Sequence, residues 1–218
     1  MFLSLIDKDN FTLLDIGCGR GLVARIIRDI YPQTTVYGID ISPEQIDKAR
    51  LSIPDGIFQV ANEINLPFGN ESIDYATCRM SIHHYPDMIS HLKEVLRVLK
   101  PGGIYIIIDA IPSKGLQDQY LNDVFLSAEA SGNGDGHLKF YTIDEYSCLF
   151  DAVGFTIGCQ YSLPHFVTWT KSDDYRINIY KHILQTPEEF RNSIHFVDEE
   201  ELYGYGLPMF MLSAIKPR

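Results

Sequence analysis

The stretch Leu-Leu-Asp-Ile-Gly-Cys-Gly-Arg-Gly, residues 13–21, decides the fold of this chain. The apolar run that leads into it predicts a buried strand, because a central parallel strand is covered on both faces. Residues 22–30 place apolar side chains at helical spacing and predict a helix. Glycines between strand and helix let the backbone turn tightly and let a ligand approach where a Cβ would block it. We therefore predict a ligand-binding strand–turn–helix unit in an α/β fold.

The spacing of these glycines narrows the choice of ligand. A dinucleotide fingerprint has the pattern Gly-x-Gly-x-x-Gly and seats a pyrophosphate on the helix N-terminus. Here Gly17, Gly19 and Gly21 follow Asp15, and the third glycine comes one residue early. This pattern favours a ligand without a pyrophosphate.

A carboxylate follows the second predicted strand, residues 35–39. Asp40 stands at the carboxyl end of this strand, where it can accept hydrogen bonds from both hydroxyls of a ribose. A helix-capping role is the alternative, but Ser42 and Pro43 already supply an N-cap and a proline at the first helical position. We therefore predict that Asp40 binds ribose.

Three further strands follow in a regular order. Apolar runs predict them over residues 57–60, 72–78 and 104–109. A helix is predicted over residues 86–99, and it ends in Lys-Pro-Gly-Gly, residues 100–103, which stop a helix.

These features together resemble the class I S-adenosylmethionine-dependent methyltransferases, with a loose similarity to the enzymes of ubiquinone and menaquinone biosynthesis. The resemblance covers residues 12–110 and rests on the segment from Asp15 to Gly21, on Asp40 and on the Lys-Pro-Gly-Gly turn. It implies a Rossmann-like, mostly parallel seven-stranded sheet of order 3-2-1-4-5-7-6, with strand 7 antiparallel and helices on both faces. It also implies S-adenosyl-L-methionine as cofactor and S-adenosyl-L-homocysteine as product.

The same resemblance assigns the cofactor contacts. Asn62 stands where the family usually has an aspartate that holds the adenine amino group, and asparagine keeps an acceptor oxygen but loses the charge. The segment after strand four is similar to one that passes beside the methionine part of the cofactor. The predicted cofactor-binding residues are Asp15, Gly17, Cys18, Gly19, Gly21, Asp40, Ile41, Asn62, Glu63 and Arg79.

The second half of the chain is expected to carry substrate specificity. Residues 155–161 and 209–216 predict strands six and seven, and residues 162–206 between them form an insertion. Two helices are predicted in the insertion, one from Asp173 and one from Thr186. We predict a single methyltransferase domain over residues 1–218, in which the insertion caps the substrate. The aromatic residues of the insertion, which favour packing over substrate binding, are His165, Phe166, Trp169, Tyr175, Tyr180 and Phe190.

A glycine-rich loop, residues 132–141, precedes a capping box formed by Thr142 and Glu145. So many glycines predict a loop that stays outside the core and hinges over the site.

The reaction implied by the resemblance is a direct displacement at the methyl carbon of a sulfonium, so positioning and exclusion of water supply most of the acceleration. A general base is needed only where the nucleophile must lose a proton. The candidates are His137 and Tyr141 in the glycine-rich loop, and His84 and Tyr85 after strand four. The sequence does not rank them, and a reaction with none of them as base stays open. The acceptor is predicted to be a small molecule, methylated on oxygen, nitrogen, carbon or sulfur.

The amino-acid composition of the chain limits the kinds of partner that it is expected to bind. The formal net charge of −11 over 218 residues argues against nucleic acid, whose binders usually carry a basic surface. Four scattered cysteines without a Cys-x-x-Cys pair predict thiols in a reducing cytoplasm. We expect no membrane segment and no metal site, because His83, His84 and His91 have no acid or cysteine at ligand spacing.

Two other functions remain open at this stage. One is a nicotinamide-dependent oxidoreductase, disfavoured by the early third glycine. The other is a non-catalytic module that binds S-adenosylmethionine. The oligomeric state is not predicted.

Overall fold

The computed structural model describes residues 2–112, 115–130, 136–170, 174–198 and 202–218. The chain forms two compact units. The first unit consists of residues 1–109, 147–161 and 211–218, and the second of residues 110–146 and 162–210.

Strands and helices alternate through the first 110 residues, except that the fourth strand follows the third without a helix between them. The strands are β1 Thr12–Ile16, β2 Thr35–Asp40, β3 Ile57–Val60, β4 Ile73–Arg79 and β5 Leu99–Ala110. The helices are α1 Leu22–Ile30, α2 Pro43–Ser52 and α3 Met88–Val98, with 3-10 turns at Phe2–Leu5 and Ile82–His84. All of these strands and helices are at predicted places, although β5 begins five residues before the predicted Ile104. It begins earlier because the Lys-Pro-Gly-Gly segment continues the sheet, with Gly102 N–H donating to the carbonyl of Lys216 over 2.9 Å.

Strand β1 lies at the centre of this sheet. It pairs in parallel with β2 on one side and with β4 on the other. Parallel pairing continues from β2 to β3 and from β4 to β5. Residues 13–16 of β1 are buried, as expected for a strand covered on both faces. Because the carboxyl ends of parallel strands share one edge, the glycine turn after β1 and Asp40 of β2 lie at the same edge.

Three more strands complete the sheet: β6 Thr156–Thr170, β7 Val197–Asp198 and β8 Leu202–Ile215. The order is β3-β2-β1-β4-β5-β8-β6, and the two-residue β7 pairs with β8. Lys216, directly after β8, exchanges backbone hydrogen bonds of 2.9 Å with Gly102 and Gly103 at the start of β5. The end of β8 therefore meets the beginning of β5, and these two strands run antiparallel. This is the predicted order, with β8 as the seventh strand of the path, and the Rossmann-like fold is confirmed.

Strands β6 and β8 are longer than predicted. Strand β6 continues nine residues past the predicted end at Tyr161, and β8 begins seven residues before the predicted Met209. Pro164 and Pro208 interrupt these segments, and proline within an apolar run argues for a break. Both segments are nevertheless rich in aromatic and β-branched residues, which favour strands, and β6 is an edge strand, where proline is tolerated.

The second unit contains α4 Leu116–Ala130, α6 Asp174–Leu184 and α7 Glu188–Ser193, and helix α5 Ile143–Val153 begins in it. Helices α6 and α7 begin within two residues of the predicted positions, and Asp173 itself lies outside the described residues. Helix α4, which was not predicted, contacts both of them. The buried residues on these three helices include Leu121, Val124, Phe125, Ile179, Ile183 and Phe190.

The aromatic residues of the insertion are described in part. Phe190 is fully buried and packs on Tyr120, with ring centroids 5.6 Å apart. Tyr180 stacks on Phe196 at 5.7 Å. The packing role is therefore confirmed for Phe190. The side chains of the other predicted aromatic residues, His165, Phe166, Trp169 and Tyr175, lie outside the described part.

Candidate active site

The three glycines of the turn all have positive φ angles, but they serve different purposes. The φ angles of Gly17, Gly19 and Gly21 are 68°, 52° and 82°. A Cβ at Gly17 would overlap the side chain of Ser81, so this glycine permits close packing of the segment after β4. A Cβ at Gly19 would meet nothing nearer than Gln45 Oε1 at 4.0 Å. Gly19 therefore leaves its backbone open to a ligand.

Asp40 is tied to the glycine turn. Its Oδ2 accepts a hydrogen bond from the Gly19 N–H, and its Oδ1 accepts one from the Ser42 N–H, each over 2.9 Å. Ser42 separately caps α2 by accepting from the Gln45 N–H at 3.4 Å, so the cap does not require Asp40. A carboxylate has about four lone-pair sites, and two backbone bonds leave capacity for ribose hydroxyls.

A cleft opens at the carboxyl ends of β1 and β2. It encloses about 270 Å³, part of which is open solvent. Among its lining residues, Ile41 is 71% exposed and offers an apolar surface. The cleft is lined by Ile16, Gly17, Ile39, Asp40, Ile41, Ala61, Glu63, Ser81 and Tyr85.

The predicted cofactor residues fall into three groups by their position relative to the cleft. Gly17, Asp40, Ile41 and Glu63 line it. Gly19 and Gly21 shape the turn beside it. The residues that neither line the cleft nor shape its turn by glycine geometry are Asp15, Cys18, Asn62 and Arg79.

Asp15 and Cys18 are buried beneath the turn. The Asp15 carboxyl accepts a hydrogen bond from Thr77 Oγ1 over 2.8 Å. Burial raises the pKa of Asp15 to about 7, although this hydrogen bond acts in the opposite direction. Burial also raises the pKa of the Cys18 thiol, so this cysteine stays protonated and packs as a small apolar group. Arg79, at the end of β4, lies at a smaller apolar cavity that Val23 also lines.

Asn62 and Glu63 lie differently with respect to the cleft. Asn62 is exposed, and its Oδ1 accepts a hydrogen bond from the Ile64 N–H over 2.8 Å. Glu63 lines the cleft, and its carbonyl oxygen lies 3.2 Å from Nδ1 of the fully buried His91. Nε2 of His91 lies 2.8 Å from the Tyr105 hydroxyl. Burial lowers the pKa of His91 to about 4, so a neutral imidazole anchors the Glu63 backbone to β5.

The sequence predicted that His137 lies on a loop outside the core, but the structure buries this residue. It is only 2% exposed, and its ring packs between Phe125 and Phe140, with centroids 5.0 and 4.2 Å away. The His137 and Gly136 N–H groups both donate to Oε1 of Glu129 over 2.9 Å. The expectation that this part of the loop stays outside the core is wrong, because aromatic neighbours bury it. Gly132 and Gly134 lie outside the described residues.

Tyr141 belongs, like His137, to the second unit, whereas the whole lining of the cleft belongs to the first. It is half-buried, with its ring 5.4 Å from that of Tyr146 and 4.8 Å from Nζ of Lys139. The capping box that follows it is confirmed, since Thr142 N–H donates to Glu145 Oε2 over 2.8 Å and Glu145 N–H to Thr142 Oγ1 over 3.3 Å. Catalytic roles for His137 and Tyr141 stay predictions.

The candidates after β4 lie beside the cleft. The Tyr85 hydroxyl is 3.1 Å from Ser81 Oγ and 3.5 Å from Cys78 Sγ. Burial raises the pKa of Tyr85 well above its usual value, so this hydroxyl is a poor proton acceptor from substrate. His84 is half-buried, and its Nδ1 has no hydrogen-bond partner among the described residues.

The sequence analysis did not identify His83 as a functional residue. In the structure, its imidazole lies within hydrogen-bond distance of a buried carboxylate. Nδ1 of His83 lies 2.8 Å from Oδ1 and 2.9 Å from Oδ2 of Asp109. The two side chains come from the turn after β4 and from the end of β5. A histidine shortly after one strand and an aspartate closing the next is the signal that could have suggested the pair.

No group of three or more metal-ligating side chains is found within the described ranges. Cys18, Cys78, Cys148 and Cys159 are free thiols. No helix of the described residues is long and apolar enough to cross a membrane.

A Rossmann-like sheet with a glycine turn and a carboxylate at its carboxyl edge is typical of proteins that bind a nucleotide cofactor. Residues 1–160 match the family model described as a methyltransferase domain, and the chain belongs to this family. The protein is a methyltransferase, and its cofactor is S-adenosylmethionine. The family assignment decides against the alternative of a nicotinamide-dependent oxidoreductase.

Individual relatives agree with this assignment. The chain is 26% identical over 194 residues to the uncharacterized methyltransferase YcgJ of Bacillus subtilis, covering 83% of this chain and 74% of that protein. The crystal structure of YcgJ superposes with a TM-score of 0.80 at 21% identity, covering 100% of this chain and 97% of that one. The 27-O-demethylrifamycin SV methyltransferase of Amycolatopsis mediterranei is 29% identical over 224 residues, covering 94% of this chain and 77% of that protein.

Shorter matches also occur. The demethylmenaquinone methyltransferase of Thermotoga maritima is 33% identical over 100 residues, which cover 46% of this chain and 44% of that protein. The chain thus spans less than half the length of this relative.

Proposed function

We propose that the protein transfers the methyl group of S-adenosylmethionine to a small molecule. The observation that carries the proposal is the placement of Asp40, whose carboxylate is held at the mouth of the cleft by the Gly19 and Ser42 N–H groups. Open space over Gly19 fits the approach of a cofactor to bare backbone. When bound, S-adenosylmethionine supplies a methyl group that its positive sulfur makes reactive.

The residues of the first unit suit the parts of such a cofactor. Asp40 would accept hydrogen bonds from the ribose hydroxyls. The exposed Ile41 would cover one face of the adenine, and Glu63 would accept from its amino group. We assign this last role to Glu63 because Glu63 lines the cleft, whereas the Asn62 oxygen is already engaged by the Ile64 N–H.

A small-molecule acceptor is supported by two observations. The formal net charge of −11 disfavours a nucleic acid, whose phosphates would be repelled. The rifamycin methyltransferase, which matches over 94% of this chain, is named for a small-molecule substrate. We further propose that residues 162–206 cap this acceptor within a single methyltransferase domain, and that the free thiols reflect a cytoplasmic location.

The proposal is tested in two steps with the full chain. Calorimetry should show binding of S-adenosylhomocysteine and no binding of NADH. Methyl-labelled S-adenosylmethionine, incubated with a panel of phenols, alcohols, amines, thiols and carboxylates, should then label at least one acceptor in a protein-dependent manner. Binding of NADH alone would contradict the proposal, and so would labelling of nucleic acid in place of every small molecule.

A further inference from the structure

His91 lies behind one wall of the cleft. It belongs to helix α3 and is completely buried, and its ring packs edge-on against that of Tyr85, with centroids 4.7 Å apart. Its Nδ1 lies 3.2 Å from the carbonyl oxygen of Glu63. Tyr85 and Glu63 both line the cleft. One buried side chain thus contacts two of the lining residues.

The partners of His91 determine which of its nitrogens carries the proton. A carbonyl oxygen only accepts hydrogen bonds, so Nδ1 carries a proton and donates to the Glu63 carbonyl. Burial lowers the pKa of His91 to about 4, so the imidazole is neutral near pH 7 and Nε2 keeps a lone pair. The Tyr105 hydroxyl, 2.8 Å away, donates to this lone pair. Both ring nitrogens are therefore satisfied, and the two hydrogen bonds together fix the orientation of the ring.

Helix α3 also holds the segment between β3 and β4, which forms no helix or strand of its own. Glu94 Oε2 accepts from the Leu66 N–H over 2.8 Å, and Arg97 donates to the Leu66 carbonyl over 2.9 Å. His91, Glu94 and Arg97 are three residues apart and share one side of the helix. Leu66 lies away from the cleft lining, whereas Glu63 belongs to it. The bond from His91 therefore fixes this segment at the point where it passes the cleft.

The position of the Glu63 carboxylate decides which purine base fits the cleft. A carboxylate accepts hydrogen bonds, so it attracts the amino group of adenine. Hypoxanthine has an oxo group at the same place, and the lone pairs of that oxygen repel a carboxylate. A hydrogen bond requires a distance of about 2.7–3.2 Å between donor and acceptor. A small displacement of the main chain at Glu63 would therefore abolish the discrimination.

We propose that His91 is a positioning residue for cofactor specificity. It holds the Glu63 main chain and the Tyr85 ring, and it thereby keeps the Glu63 carboxylate where it selects adenine over hypoxanthine. This inference rests on the proposed function, in which Glu63 accepts a hydrogen bond from the adenine amino group. His91 does not line the cleft itself, so it acts on the cofactor through Glu63 and takes no part in the methyl transfer.

The test is calorimetry on the full chain with S-adenosylhomocysteine and with S-inosylhomocysteine, which has hypoxanthine in place of adenine. The wild type should bind the adenine compound at least about tenfold more tightly, the factor for one hydrogen bond to a charged group. His91→Leu cannot donate to Glu63 and should bring this ratio close to that of Glu63→Ala. His91→Asn should keep most of the ratio, because its amide can donate from near the position of Nδ1.

A further variant of His91 provides the same comparison if His91→Leu does not fold. The amide of His91→Gln reaches nearer the position of Nε2 than that of Nδ1. His91→Gln should therefore lose the ratio that His91→Asn keeps, although both side chains are polar and carry the same groups.

A double variant separates positioning from a general loss of structure. If His91 acts through Glu63, His91→Leu combined with Glu63→Ala should have the same ratio as Glu63→Ala alone. Leu92→Ala removes another fully buried side chain of α3 and is the control for lost stability. It should lower the free energy of unfolding in urea and keep the wild-type ratio.

The proposal is overturned if His91→Leu and His91→Gln keep the wild-type ratio, or if Leu92→Ala loses it to the same extent. A loss in the double variant beyond that of Glu63→Ala also overturns it, because His91 would then act by another route. Equal affinity of the wild type for both compounds would remove the specificity that His91 is proposed to support. Failure of the wild type to bind either compound is a different result and would contradict the proposed function itself.

Discussion

The carboxylate of Asp40 accepts a hydrogen bond of 2.9 Å from the backbone N–H of Gly19. One side chain thus joins the end of β2 to the turn after β1, and it does so at the mouth of the cleft. This one carboxylate therefore both holds the glycine turn and lines the cleft.

Asp40→Ala should weaken binding of S-adenosylhomocysteine by about 1.5–3 kcal/mol, the value of charge-assisted hydrogen bonds. This corresponds to about a 10- to 150-fold increase in Kd. Calorimetry measures the change, with Asp47→Ala on the exposed face of α2 as a control. An unchanged Kd in the Asp40 variant would show that Asp40 does not bind the ribose.

Substitutions at two glycines of the turn should affect binding and stability differently. Gly19→Val should abolish binding of S-adenosylhomocysteine because the added side chain enters open space beside the cleft, and its positive φ angle should also cost some stability. Gly17→Ala should lower the free energy of unfolding, because its φ angle is also positive and its Cβ would overlap Ser81. Urea unfolding and calorimetry on both variants distinguish the two effects.

A second substitution, which removes the overlapping side chain of Ser81, provides the control for Gly17→Ala. Adding Ser81→Gly to Gly17→Ala should recover part of the lost stability, since the overlapping side chain is gone. If the double variant is less stable than either single variant, the cause lies in the positive φ angle alone.

Asn62 and Glu63 should respond differently to substitution. Asn62→Asp should leave the affinity for S-adenosylhomocysteine nearly unchanged, because a carboxylate can also accept from the Ile64 N–H. Glu63→Ala should reduce the preference for S-adenosylhomocysteine over S-inosylhomocysteine, in which an oxo group replaces the amino group. Glu44→Ala, an exposed change on α2, is the control. A preserved preference in Glu63→Ala would assign the adenine contact to the backbone.

Asp15 should make the protein less stable as the pH rises. Burial raises its pKa to about 7 in the folded state, against about 3.9 in the unfolded chain. Between these values the folded state binds the extra proton, so stability falls with increasing pH across this window. Asp15→Asn should remove this slope, and its free energy of unfolding relative to the wild type should be higher at pH 8 than at pH 4. Urea unfolding at both pH values tests this.

Asp74 should have the opposite effect on stability. Burial would raise its pKa, but hydrogen bonds from Lys100, Lys8 and Thr12 outweigh burial and hold the pKa well below its usual value. The stabilisation is therefore complete above the unfolded value of about 3.9 and is lost as the pH falls below it. Asp74→Asn should destabilise the protein by about 1–3 kcal/mol at pH 7. Urea unfolding near pH 3 should show a smaller difference, and an equal difference at both pH values would contradict the assignment.

Local sequence signals predicted several short-range features of the fold well. The strand–turn–helix unit around Gly19, the Ser42 cap and the Thr142–Glu145 capping box each depend on residues a few positions apart. Such features are set by short-range sterics and hydrogen bonds, so the sequence alone determines them.

Features that depend on tertiary packing were not predictable in the same way. His83 and Asp109 are 26 residues apart, and their contact follows from the pairing of β4 with β5. The glycines around His137 indicated backbone freedom, but burial there depends on Phe125 from another segment. Glu63 lines the cleft, whereas Asn62 is exposed and accepts a hydrogen bond from the Ile64 N–H, and the family pattern does not reveal this difference.

The central position of β1 has a consequence for the synthesis of the chain. β1 leaves the ribosome before β4, and its partner Tyr75 in β4 lies 62 residues after Leu13. At 5–20 residues per second, this gap takes about 3–12 s. During that time one side of an apolar strand has no native partner to pair with. The nascent chain is therefore most exposed to aggregation before β4 has emerged. The growth temperature and the supply of chaperones at that stage should govern how much folded enzyme a cell obtains.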